Sequence, residues 1–233
     1  MIEPPVGLVP TSLLGALLGL DVVSFPQAML SRPLVAATLA GALAGSAETG
    51  LIIGATLELF ALETLPIGAS RYPEWGSAAV VGGTLYAMAE RSETAMTAGA
   101  MCMAVLFAIA TSWVGGRSMV LLRTINGRFA RRSMDSLAAG SARTVVGLQL
   151  AGLFGDLLRG FLLTLAALLV TIPAQEAALA RWHTDGRIAR AVVVGLAAMV
   201  AGGAVWKLVH AVPRARWLFL GGLLCGLALL AFA

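Results

Sequence analysis

Long charge-free apolar runs set the terms on which this chain can fold; among them are Pro4–Leu20, Thr94–Gly116, Gly160–Gln175, Ala191–Trp206 and Trp217–Ala233. Several approach the ~20 residues that a helix needs to cross bilayer hydrocarbon. No water is present there to satisfy backbone N–H and C=O groups, so runs of this kind span as helices that bond internally. Alternating strands of about ten residues, the mark of an outer-membrane barrel, are absent. Composition agrees: 59% of the 233 residues are hydrophobic and 12% charged, with a mean hydropathy of +0.89. A soluble domain shows water far more charge. The sequence predicts one all-α domain over residues 1–233, a polytopic membrane helical bundle. About seven to nine membrane segments are expected, some short, broken or re-entrant.

The formal net charge is +4. Arginines cluster between the apolar runs, the pattern of membrane-flanking loops rather than of a nucleic-acid surface. Cys102 and Cys225 lie inside apolar runs and read as small packing residues. There is no CxxC motif and no His/Cys cluster, so neither a metal nor a cofactor is expected. The amino-terminal run has no basic segment before it, unlike a cleaved signal peptide, and is expected to be retained.

Along the chain, Asp21–Arg32 is polar and broken by proline, a bend near the membrane. Ala95–Gly116 is the clearest full crossing. The arginines from Arg117 to Arg143 follow it, and the positive-inside rule assigns Arg123–Arg143 to the cytoplasm. Val145–Ile172 contains Asp156 and Arg159, which at i, i+3 share a helix face and form an intramembrane pair. Trp75, Trp113, Trp182, Trp206 and Trp217 sit near segment ends, as interfacial anchors do.

The stretch from Arg32 to Gly68 carries Glu48, Glu58 and Glu63 among glycines and apolar residues. Carboxylates in such surroundings are costly and mark a polar path or a binding site. Leu34–Gly45 and Gly50–Leu65 are each short for a crossing. They read as broken helices beside a substrate site, or as tilted helices packed through Ala36, Gly41 and Gly45.

The residues Asp21, Gln27, Ser31-Arg32-Pro33-Leu34, Thr49-Gly50-Leu51-Ile52-Ile53-Gly54-Ala55-Thr56-Leu57-Glu58 and Pro66-Ile67-Gly68-Ala69 occur in an order that resembles one family. It is the IIC membrane subunit of the mannose/fructose/sorbose class of the sugar phosphotransferase system (PTS). The similarity is strongest over Asp21–Gly83 and continues through Leu153-Phe154, Arg159, Ile172-Pro173 and Gly195–Gly203. The resemblance implies a permease subunit, not an enzyme, in the bacterial inner membrane. Such a subunit binds a hexose and moves it across the bilayer together with a IID membrane subunit, as an oligomer of IIC/IID pairs. Soluble IIA and IIB proteins carry the phosphoryl group, and IIB phosphorylates the sugar. Relatives extend further than Ala233 and often carry a more polar residue at Pro66, which bears on transport.

Sugar hydroxyls both donate and accept, so their site needs carboxylates, amides and hydroxyls. Glu58 is the first candidate, as a bidentate acceptor, and its alternative is pairing with an arginine or the backbone. Gln27 donates and accepts; Asp21 accepts from sugar or caps a helix. Thr56 donates to sugar or back-bonds to its own helix. Arg32 and Pro33 start a helix, and Glu74, in the polar turn before Ser77, is expected to face solvent. His183 and His210 lie in no phosphorylation motif. Two other readings are a diverged regulatory or assembly subunit and, last, an intramembrane enzyme, for which no nucleophile–base pair or metal cluster is present.

Overall fold

The computed structural model describes residues 8–22, 24–62, 72–91, 97–181 and 214–232, with short stretches between 191 and 206. All regular structure among them is helical. The helices with their own bounds are α1 (Leu8–Asp21), α2 (Pro33–Ala44), α3 (Ala47–Ala61), α4 (Trp75–Arg91), α5 (Thr97–Arg132), α6 (Met134–Ala138), α7 (Ala142–Leu179) and α8 (Ala215–Phe232).

Helices α2 and α3 form a hairpin. Pro33 stands at the first position of α2, where its missing N–H costs no helical bond. Gly45 ends α2 at φ 106°, a left-handed conformation that L side chains resist. Ser46 then caps α3, its side chain accepting from the Thr49 N–H. At 1.5 Å per residue the two arms are only about 18 and 22 Å long, less than the ~30 Å of hydrocarbon. Glycines let them touch: a Cβ on Gly41 would stand 2.7 Å from the Gly50 Cα. The arms pack through small residues, as the second reading expects, with Gly41 against Gly50, while Gly45 ends α2 rather than packing.

Helix α4 is the centre of the bundle and packs on α1, α2, α3, α5 and α7. Ala78, Ala79, Val80 and Val81 are fully buried on successive positions, so no face of this part meets solvent or lipid. Gly83 admits the α2 backbone, since a Cβ there would lie 2.4 Å from the Ala37 carbonyl oxygen. The Gln175 amide of α7 donates to the Leu85 carbonyl at 2.9 Å, tying the far end of α4 to α7. Helices α1 and α7 pack through glycine too: a Cβ on Gly160 would be 2.9 Å from the Ala16 Cα.

Two described helical segments, 99–132 and 142–179, are long and apolar enough to cross a membrane. By that measure the described residues do not reach the seven to nine segments expected; α1 and α2 are apolar but short. The basic stretch is also organised differently from a loop. Arg117, Arg123, Arg128, Arg131 and Arg132 belong to α5, which continues without a break. Thirty-six residues make a helix of about 54 Å, so one end outruns the hydrocarbon. No proline interrupts it, and arginine is a good helix former. Trp75 is another correction. It is buried and stacks on Phe60 with ring centroids 6.5 Å apart, whereas Trp113, Trp206 and Trp217 are exposed as anchors are. Trp182, Glu63, Pro66, His183 and His210 lie outside the described residues.

Candidate functional site

The bend between α1 and α2 is organised by Asp21. Its Oδ1 accepts from the Ala28 N–H at 2.7 Å and its Oδ2 from the Ser31 N–H at 2.8 Å. Inside that clamp the Phe25–Pro26 peptide is cis, and Gln27 and Met29 hold φ values of 60° and 61°. Positive φ is uncommon for residues with a Cβ, so the clamp offsets a local conformational cost. The bend directs Ser24 and Gln27 toward α5 and α7.

Ser24 Oγ donates to Asp156 Oδ2 on α7 at 2.6 Å. One turn along α7, Arg159 Nε donates to Asp156 Oδ1 at 2.8 Å, and both side chains are over nine-tenths buried. Arg159 Nη1 reaches Ser118 Oγ on α5 at 3.2 Å. A carboxylate and a guanidinium at this depth are tolerable only because each neutralises the other and is hydrogen-bonded.

Above Asp156 lies a cavity of about 510 Å³, within the range of about 300–1,000 Å³ usual for small-molecule sites. Its polar lining comes from Ser24 and Gln27 of the bend, Arg123 and Asn126 of α5, and Gln149 and Asp156 of α7. Met119, Leu122, Leu148 and Leu153 supply apolar wall. Arg123 is held in place: it donates to the Tyr72 hydroxyl at 2.7 Å, and its guanidinium carbon stands 5.4 Å from that ring's centroid. Three amides, one hydroxyl, a guanidinium and one neutralised carboxylate can donate to and accept from an uncharged polyol. A second hollow of about 410 Å³, mostly apolar, is lined by Tyr72, Pro73, Trp113, Gly116, Arg117 and Val120.

The structure does not gather all the expected sugar ligands here. Gln27 lines the cavity; Asp21, Thr56 and Glu58 do not. Glu58 pairs with Arg32, and its other oxygen accepts from the Leu34 N–H at 3.1 Å. That places an anion at the amino terminus of α2, where exposed N–H groups and the helix dipole favour it. Thr56 Oγ1 back-bonds to the Ile52 carbonyl at 3.0 Å. Glu48 is exposed in the first turn of α3. Glu74, expected in solvent, is fully buried: Oε1 accepts from the Ser77 N–H at 2.9 Å, while Oε2 has no hydrogen-bond partner. The polar composition of its turn hid this, because α1, α5 and α7 bury it from elsewhere in the chain.

Nothing in the local sequence singles out Ser24, Asn126 and Gln149, and the charge pattern places Arg123 in a loop. A signal is available once α5 and α7 are known: Arg123 and Asn126 are i, i+3, and Gln149, Gly152 and Asp156 fall on one face of α7. Among the described residues no group of three or more His, Cys, Asp or Glu is placed to hold a metal.

A helical bundle with a short hairpin, and a polar cavity between two helices long and apolar enough to cross a membrane, has the build of a helical membrane protein. The family can be stated more closely. Residues 8–186 match the family described as the PTS system sorbose-specific IIC component, and the chain belongs to that family. It is 28% identical over 174 residues to the fructose permease IIC component of Bacillus subtilis strain 168, covering 75% of this chain and 59% of the relative. It is 30% identical over 148 residues to the mannose-specific EIIC component of Escherichia coli strain K12, covering 64% and 49% respectively. The chain thus spans about half to three-fifths of the length of these relatives. Its fold is shared with a solved membrane protein at a TM-score of 0.68 and 21% identity, covering 100% of this chain and 94% of that one. It is shared too with the mannose transporter ManYZ, solved by cryo-electron microscopy with microcin E492, at 0.60 and 20%, covering 97% and 88%.

Proposed function

We propose that this chain is a sugar-translocating IIC subunit, a multi-pass protein of the bacterial inner membrane. It binds a hexose and passes it across the bilayer with a IID partner, in an oligomer of such pairs, while IIB, charged by IIA, phosphorylates the sugar. The observation that carries this reading is the cavity over Asp156. Its amides and its hydroxyl come from the bend and two long helices, and its carboxylate is already neutralised by Arg159. A neutral sugar entering it meets donors and acceptors, the Asp156 charge being compensated by Arg159. Gln27, Asn126 and Gln149 are the ligands proposed to orient it. Asp21 serves by shaping the bend, and Glu58 and Arg32 by fixing the start of α2.

The relatives named for fructose, mannose and sorbose define the panel of sugars to try. The test is equilibrium binding of labelled fructose, mannose and sorbose to the complex of this chain with its IID partner. Saturable binding of one sugar, weakened by Gln149→Ala, is the expected result. Binding of none of the three would overturn the reading.

A further inference from the structure

Glu74 is the one fully buried carboxylate among the described residues, and the proposed sugar site does not use it. It stands immediately before α4. Its Oε1 caps that helix through the Ser77 N–H, and its own N–H donates to the Ser112 carbonyl at 2.9 Å. The other oxygen, Oε2, is buried without a partner. On the opposite side Arg159 has the complementary feature: Nε and Nη1 are spent on Asp156 and Ser118, and Nη2 is buried without a partner.

The two side chains are neighbours. A Cβ on Gly19 of α1 would stand 3.5 Å from Arg159 Nη2 and 3.7 Å from Glu74 Oε1, so those atoms lie within about 7 Å of each other. They form no ion pair here. Glycines line the carboxylate on other sides as well: a Cβ on Gly115 would lie 3.0 Å from Oε2, and one on Gly76 would lie 2.9 Å from Oε1. A buried charge with spare hydrogen-bonding capacity is costly in every state in which it stays unpaired. Arg159 therefore has two carboxylates within its reach, Asp156 on the cavity wall and Glu74 on the cap of the central helix, and engages only the first.

We propose that Glu74 is a positioning residue for translocation. When one hexose hydroxyl takes the place of Ser24 on Asp156 and a second bonds Oδ1, Arg159 Nε is no longer that oxygen's sole donor, and its bond lengthens without breaking. Arg159 then turns Nη2 across the Gly19 gap to Glu74. The new pair ties occupation of the cavity to the amino terminus of α4, the helix that grips the α2–α3 hairpin. Gly19 is required because any side chain there stands between the two partners. This inference rests on the sugar-permease reading above.

The test uses the chain with its IID partner in lipid vesicles and the variants Glu74→Gln and Gly19→Ala. Glu74→Gln keeps an oxygen to cap Ser77 but removes the charge; Gly19→Ala keeps the charge and obstructs the gap, and because its methyl also meets Ser77 Oγ at 2.9 Å it is compared in a Ser77→Ala background too. Binding of the labelled hexose, its exchange across the membrane, and the infrared difference spectrum on adding hexose are measured together. Both variants are expected to bind hexose within about twofold of wild type and to exchange it about tenfold more slowly, as when a charge-assisted bond made in one state only is lost. The hexose-induced spectrum of wild type is expected to contain a carboxylate band that is missing in Glu74→Gln. A merely structural cap would give no such band. Wild-type exchange rates in either assembled variant, equal losses of binding and exchange, or a band that survives Glu74→Gln would overturn the inference and leave the permease reading standing. If Glu74→Gln does not assemble, the exchange rate of Gly19→Ala in the Ser77→Ala background, against Ser77→Ala alone, decides. A wild-type complex that binds none of fructose, mannose and sorbose overturns both.

Discussion

Ser24 and Asp156, 132 positions apart in sequence, are joined by a 2.6 Å hydrogen bond that closes the bend after α1 onto α7. Asp156 is shared between that hydroxyl and Arg159, so the bend, the cavity wall and a buried cation meet at one carboxylate. Removing either partner should register in stability. Ser24→Ala is expected to cost about 1.5–3 kcal/mol, the range for a hydrogen bond to a charged group. Asp156→Asn leaves a buried guanidinium without its anion and is expected to cost about 3–5 kcal/mol. Melting in detergent should rank wild type above Ser24→Ala and that above Asp156→Asn; the reverse order would contradict the shared-carboxylate geometry.

The pair of Arg32 and Glu58 predicts a different outcome. Arg32 is about one-third exposed and the Leu34 N–H can still bond to an amide oxygen, so Glu58→Gln is expected to lose no more than about 1 kcal/mol. Hexose affinity should be unchanged, and the same holds for Thr56→Val, whose hydroxyl is spent within α3. A large loss of affinity in Glu58→Gln would make this carboxylate a sugar ligand, as its place in the longest motif led one to expect.

Glycine contacts predict where extra volume is harmful. Gly83→Ala puts a methyl 2.4 Å from a backbone oxygen of α2, a clash that no rotamer relieves. It is expected to cost about 1–3 kcal/mol through overpacking. Gly147→Ala, on α7 with nothing within 4 Å, is expected to stabilise by up to about 1 kcal/mol through helix propensity. The two melting temperatures should move in opposite directions.

Cavity amides should carry sugar affinity. Gln27→Ala and Gln149→Ala are each expected to weaken hexose binding by about tenfold, the equivalent of one hydrogen bond of about 1.4 kcal/mol. Titration with labelled hexose checks this, and an unchanged affinity in both would remove these amides from the site.

What could be read from sequence divides along physical lines. The α2–α3 hairpin was legible because its length falls short of a bilayer and glycine marks its turn. Asp156 and Arg159 share a face by local spacing alone. Gln27 stands out as a polar residue in a short proline-broken bend. Burial of Glu74 was not legible: its turn looks polar, and the groups that cover it come from α1, α5 and α7. Glu58 stood in the longest motif, yet its partner Arg32 is 26 residues away, and only the packed hairpin brings them together. Asn126 and Gln149 sit in helices whose orientation is a tertiary property.

The most direct measurement is uptake of labelled fructose, mannose and sorbose by vesicles holding this chain and its IID partner, with and without phosphorylated IIB. Phosphorylation-dependent uptake of one of these sugars is expected, lost in the double variant Gln27→Ala/Gln149→Ala and retained in Glu58→Gln. Uptake of no sugar by an assembled complex, or uptake indifferent to the double variant, would contradict that expectation.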